Sequence, residues 1–82
     1  MACFVYILKC NGGVYYTGVT SNLLKRVTEH NAGIKTSIQI TRRPVKLVYW
    51  EKFLGRIEAA KREKEIKGWR REKKEKLINS LR

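Results

Sequence analysis

The tripeptide Asn11-Gly12-Gly13 limits what this chain can fold into more than any other feature. It separates "CFVYILKC" from "VYYTGV", two runs rich in the β-branched and aromatic residues that favour strands. Two such runs joined by a glycine turn double back as a hairpin, and the turn length then sets the register. With three loop residues, Cys10 faces Val14, Leu8 faces Tyr16 and Tyr6 faces Gly18. Tyr6 and Tyr16 then share one face as diagonal neighbours, roughly 7–8 Å apart. A two-residue Asn11-Gly12 turn slips the register by one and sends the tyrosines to opposite faces. Both turns are chemically allowed, and Gly13 favours the longer one, since three-residue loops prefer a late glycine. In that register Gly18 removes a side chain beside the Tyr6 phenol, where a ligand would approach.

Beyond the hairpin, Ser21 or Asn22 caps a helix through "LLKRVTEHNA", and Gly33 is placed to stop it. Leu23, Leu24 and Val27 supply its apolar stripe. Residues 34–44, "IKTSIQITRRP", read as an extended basic loop ending at the only proline. "VKLVYW" is a third strand. From Gly55 onward the pattern is helical: "RIEAAKREKEIK", a break near Gly68, then a last helix ending at Leu81. The expected fold is α/β, a small three-stranded mixed sheet flanked by helices in the order β-β-α-β-α-α. No linker or repeat divides it, so residues 1–82 are read as a single domain.

Charge narrows the function. Nineteen Lys and Arg against seven acidic residues give a formal net charge of +12, which points to a polyanionic partner, most often nucleic acid. No apolar run approaches the roughly 20 residues of a membrane span, and no basic helix has a large apolar face. The N-terminus lacks the features of a signal peptide, and a cytoplasmic monomer is expected. Cys3 and Cys10 lie about 23 Å apart along an extended strand, too far for a disulfide, so both are read as buried, reduced thiols. With one histidine and no Cys-x-x-Cys, a zinc site lacks ligands. All seven acidic residues are glutamates, which disfavours a two-metal site built on a cluster of aspartates.

Few residues remain that can carry chemistry. Arg26 and His30, four apart, are neighbours on one helix face; a guanidinium stabilises charge on phosphate and an imidazole binds it or moves a proton. The bland reading is a solvated cationic edge. Glu63 lies four after Ala59 and three before Ile66, on the small and apolar face of its helix. It is either an i,i+4 partner of Lys67 or one oxygen ligand for Mg²⁺. Lys35, Arg42, Arg43 and Lys46 decorate the loop and third strand as a phosphate-tracking surface. Trp50 and Trp69 offer stacking surfaces, with core packing the expected role of each.

Taken in order, these residues resemble the GIY-YIG nuclease family. Its first motif appears as Phe4-Val5-Tyr6 and its second as Tyr16-Thr17-Gly18. Arg26 follows Tyr16 by ten positions and His30 follows four later, as in the family's helix motif. Glu63 in "REKEIKGW" best matches the family's metal-binding glutamate. The likeness spans essentially the whole chain and is greatest to the small stand-alone bacterial branch related to the excinuclease C nuclease domain. Phe4 stands where the first motif has glycine, and Val19 where some members carry lysine. The asparagine near the end of excinuclease-type domains has only Asn79 as a candidate. The resemblance implies a DNA endonuclease using one divalent cation, Mg²⁺ or Mn²⁺, held by Glu63. Tyr6 or Tyr16 would act as base or orient the attacking water, Arg26 would stabilise the pentavalent phosphate, and His30 would contact it or assist proton transfer. Irregular or damaged DNA, as met in repair, is the expected substrate. Charge alone also admits a basic DNA- or RNA-binding module that does not cut, or a ribosome-associated structural protein.

Overall fold

A computed structural model describes residues 2–80. Among them, three strands and three α-helices follow the expected order: β1 (Cys3–Lys9), β2 (Tyr15–Thr20), α1 (Leu23–Ala32), β3 (Lys46–Phe53), α2 (Arg56–Lys67) and α3 (Arg71–Asn79). The expected helix end at Leu81 lies outside the described residues. β1 is the central strand, in the order β2-β1-β3, and both pairings are antiparallel. The sheet is therefore antiparallel throughout rather than mixed, because the connection through α1 carries the chain across β1 before it returns.

The hairpin adopts the longer turn. Cys10 N–H donates to the Val14 carbonyl at 2.7 Å, and Tyr6 pairs with Gly18 and Leu8 with Tyr16. Gly12 and Gly13 have φ of 89° and 81°, backbone that a β-carbon would strain, which is why this turn carries two glycines.

Alternation along β1 separates two cores. Val5 and Ile7 face one side and pack with Tyr49, Ala59 and Ile66, so α2 and α3 cover this face. Tyr6, Leu8 and Cys10 face the other side and pack with Ile38, Val45 and one edge of α1, through Leu23 and Val27. Each fully buried aliphatic side chain contributes about 1.5–3 kcal/mol. Leu24 does not join the apolar stripe; it is 81% exposed, since it lies one residue round the helix from the Leu23–Val27 line. α1 begins as expected, with the Asn22 side chain accepting from Lys25 N–H at 3.1 Å, and it ends at Gly33.

Three further expectations change. The segment 34–44 is not wholly extended: Ile40–Arg42 form a 3₁₀ turn before a cis Arg43–Pro44 bond. Trp50 is 47% exposed on β3 rather than packed in the core, whereas Trp69 is half-buried against the α2 core. Both thiols are free, yet only Cys10 is fully buried.

Candidate active site

The sheet face beneath α1 gathers the polar residues that the chain can least easily bury. Tyr6 is 1% exposed and His30 is completely buried. They satisfy each other: the Tyr6 hydroxyl and His30 Nε2 are 2.8 Å apart. His30 Nδ1 lies 2.6 Å from Thr36 Oγ1, and that oxygen also accepts from the Ile38 N–H at 3.0 Å. Burial without partners would cost each group a few kcal/mol, so the loop holding Thr36 is part of what makes the histidine tolerable. Tyr16 completes an aromatic triangle, its ring centroid 6.4 Å from Tyr6 and 5.1 Å from His30.

The glycine of the second motif explains how the phenol fits. A β-carbon on Gly18 would come within 2.4 Å of the Tyr6 hydroxyl oxygen. The gap expected there for a ligand is filled by Tyr6 itself, which leans over Gly18 toward β2. Gly18 is thus buried, and its missing side chain makes room for the phenol.

Arg26 stands beside this group, aimed by two acceptors. Nη1 reaches Glu29 Oε1 at 3.2 Å, and Nη2 donates to the Lys35 carbonyl at 2.7 Å. That carbonyl is presented by Lys35 in the left-handed region, with φ of 49°. Burial, then the neighbouring Tyr16, pushes the Tyr6 phenol up to about 12, against the opposing pull of Arg26. Glu63 adds a smaller upward push. Burial, then Arg26, holds His30 below its ordinary value, so it is a neutral imidazole at neutral pH. His30 has no exposure, and both its nitrogens are engaged by Tyr6 and Thr36.

The structure thus brings Tyr6, Tyr16, Arg26 and His30 together, whereas the contact of Glu63 is with Lys67. The remaining cations disperse. Lys35, Arg42 and Lys46 are exposed. Arg43 instead turns inward, where Nη2 donates to the Ile38 carbonyl at 2.8 Å and its Nε is buried, so it braces the loop. Thr36 and Glu29 escaped the sequence reading; a threonine in a polar loop and a glutamate on a charged helix carry no local signal. Beside Tyr16, Cys10, Val14, Ile38 and Arg42 help to line an open cleft of about 310 Å³.

The chemistry of the donors bears on a metal. Among the described residues no three His, Cys, Asp or Glu side chains cluster. Glu63 is half-buried, and its Oε2 holds Lys67 at 3.0 Å, the pairing expected from their spacing. A single hard carboxylate suits a cation such as Mg²⁺, which keeps most of its waters and shares itself with substrate phosphate; it does not suit a preformed all-protein cage.

The family model described as the GIY-YIG catalytic domain matches residues 2–76. A UPF0213 protein of Listeria welshimeri is 45% identical, over 92% of this chain and 83% of that protein. One from Staphylococcus haemolyticus is 48% identical, over 92% of each. In solution NMR structures, the UPF0213 protein of Bacillus halodurans is 37% identical with a TM-score of 0.63, covering 96% of this chain and 84% of that one. A protein from E. faecalis is 36% identical with a TM-score of 0.67, covering 99% and 86%. The chain belongs to the GIY-YIG catalytic domain family, a family of nucleases.

Proposed function

We propose that this protein is a DNA endonuclease that hydrolyses phosphodiester bonds with the help of one divalent cation. The observation that carries this reading is the Tyr6 hydroxyl, hydrogen-bonded to a neutral imidazole, flanked by a second phenol and drawn down by the nearby Arg26 guanidinium. A phenol at about 12 is a poor free base at neutral pH, but it need not become a free phenolate. Arg26 favours negative charge on the Tyr6 oxygen, so the phenol proton points to His30 Nε2 while Nδ1–H donates to Thr36. As water attacks phosphorus, its proton passes to the Tyr6 oxygen and the phenol proton passes to His30. The P–O bond opposite the attacking oxygen breaks, the leaving oxygen takes a proton from solvent, and charge on the phosphate is met by Arg26. Tyr16, less buried than Tyr6, orients the water. Glu63 would hold the divalent cation, which supplies positive charge to the phosphate oxygens. Exposed Lys35, Arg42 and Lys46 track the flanking backbone, and strand interruptions of the kind met in repair are the favoured substrates.

A second reading is a basic DNA- or RNA-binding module that does not cut, favoured by the Lys67 ammonium on the one carboxylate available to a metal. Among the described residues no helix is long and apolar enough to cross a membrane. The +12 charge fits nucleic acid as the partner in either reading.

Nicked, flapped, bubbled and intact DNAs, incubated with Mn²⁺ or with EDTA, separate the two readings. Strand breakage that needs the metal and disappears in Glu63→Ala, with DNA binding retained, supports the enzyme. Binding without breakage on every substrate overturns it.

A further inference from the structure

Trp50 is the large aromatic that the fold does not consume. On β3 it pairs directly with Tyr6 of β1, so the indole rises from the same sheet face as the reactive phenol, one strand away. It is 47% exposed on β3, an edge strand of the sheet. Its orientation is fixed from the side by Phe4, with ring centroids 5.7 Å apart and planes at 75°, so the ring is held without being covered. Phe4 is the residue that stands in place of the first motif's glycine, so the departure from the family pattern and the exposed indole are two halves of one contact. Lys52 follows on the same face, paired with Phe4, and is exposed. It forms no ion pair among the described residues.

We propose that Trp50, steadied by Phe4, is a stacking platform for an unpaired base next to the phosphate engaged by the Tyr6 cluster. The inference rests on the nuclease reading for the position of that phosphate, and it names the substrate class: strands with an unpaired nucleotide at the cut. Three features select a nucleobase as the occupant. The surface is aromatic and flat, its neighbouring charge is cationic, and it continues the candidate active face rather than forming a separate patch. In a base-paired duplex the flanking base is already stacked on its neighbours and has no face to offer. A frayed end, flap or gap presents one.

Binding measured in EDTA tests the platform without any cleavage. Fluorescence anisotropy is read with a labelled single-stranded oligonucleotide and with the fully paired duplex. Trp50→Ala should weaken single-strand binding about tenfold or more, as loss of one stacked base does, and change duplex binding little. Trp50→Phe should recover most of the loss, and the salt dependence should be unchanged because no phosphate contact is removed. Both variants should match the parent in circular dichroism, with the thermal midpoint of Trp50→Ala lowered only by the lost Phe4 contact. Equal single-strand affinity of parent and Trp50→Ala overturns the proposal. So does sedimentation showing that Trp50→Ala abolishes self-association, because the indole would then be covered by a second copy. If no DNA is cut with any metal but Trp50→Ala still loses single-strand affinity, the nuclease reading fails and the platform stands.

Discussion

Tyr6 and Tyr49 sit on opposite faces of one sheet, are 1% and 6% exposed, and are both pushed up to about 12, with burial the first cause in each. Their partners differ. The Tyr49 hydroxyl donates to Glu51, and Glu51 is clasped by Arg62 through Nε at 3.0 Å and Nη2 at 2.9 Å. Arg62 also reaches Glu65 at 2.6 Å and lies over the Trp69 ring, 5.1 Å from its centroid. Every charge there meets an opposite charge. Burial acts against the Glu51 carboxylate, yet hydrogen bonds from Arg62 and Tyr49 hold it below the usual range. The Tyr6 hydroxyl meets no carboxylate directly. It meets a neutral imidazole that can take a proton and a guanidinium already committed to holding a position. A perturbed tyrosine is therefore no sign of chemistry in itself; what matters is whether its neighbours close the circuit or leave a proton somewhere to go.

Four substitutions or conditions bear on this contrast. The largest effect is expected from Gly18→Ala. The added carbon would displace the Tyr6 hydroxyl from His30, and DNA nicking should fall about 100-fold or more, the scale of lost acid–base assistance. A nicking rate near the parent's would show that the phenol's placement over Gly18 is immaterial. Thr36→Val leaves His30 Nδ1 without a partner and should slow nicking about tenfold while lowering stability by about 1–2 kcal/mol. Urea unfolding and initial rates measure the two effects separately. Across the sheet, Glu51→Gln should cost about 1–3 kcal/mol, with the rate per folded molecule unchanged. A rate loss there would put the Tyr49 knot into the mechanism and erase the distinction.

The smallest effect is one of pH. His30 is held below its unfolded value near 6.5, so below that pH the unfolded chain binds a proton that the folded chain refuses. Stability is then full above about pH 6.5 and declines as pH falls from there toward the folded-state value. His30→Gln should flatten that part of the profile; an unaltered slope would mean that His30 is not the group responsible.

Much of this contrast was legible in the residues, and the rest was hidden for identifiable reasons. Gly13 indicated the hairpin register, and with it the shared face of Tyr6 and Tyr16, because side chains alternate strictly along strands. Ser21 or Asn22 at one end and Gly33 at the other framed α1, and the spacing of Arg26 and His30 along it made them neighbours. Periodicity along one helix does not reveal how far that helix rolls onto the sheet, however, and so it did not show that His30 would be fully buried. Nor does alternation say which row of a sheet face is roofed over. Trp50 looked like core for that reason and emerged half exposed. Thr36 lay in a loop with no pattern to read, and the Tyr49–Glu51–Arg62 knot joins residues up to 13 positions apart on two elements. Such long-range pairings leave no trace in local spacing.

The most direct measurement compares Tyr6→Phe with Tyr49→Phe, each losing one buried hydroxyl, on a flapped DNA with Mn²⁺. The account predicts that Tyr6→Phe stops strand breakage while still binding the DNA, and that Tyr49→Phe cuts at the parent's rate with a lower unfolding midpoint. Equal cutting by the two variants would contradict it.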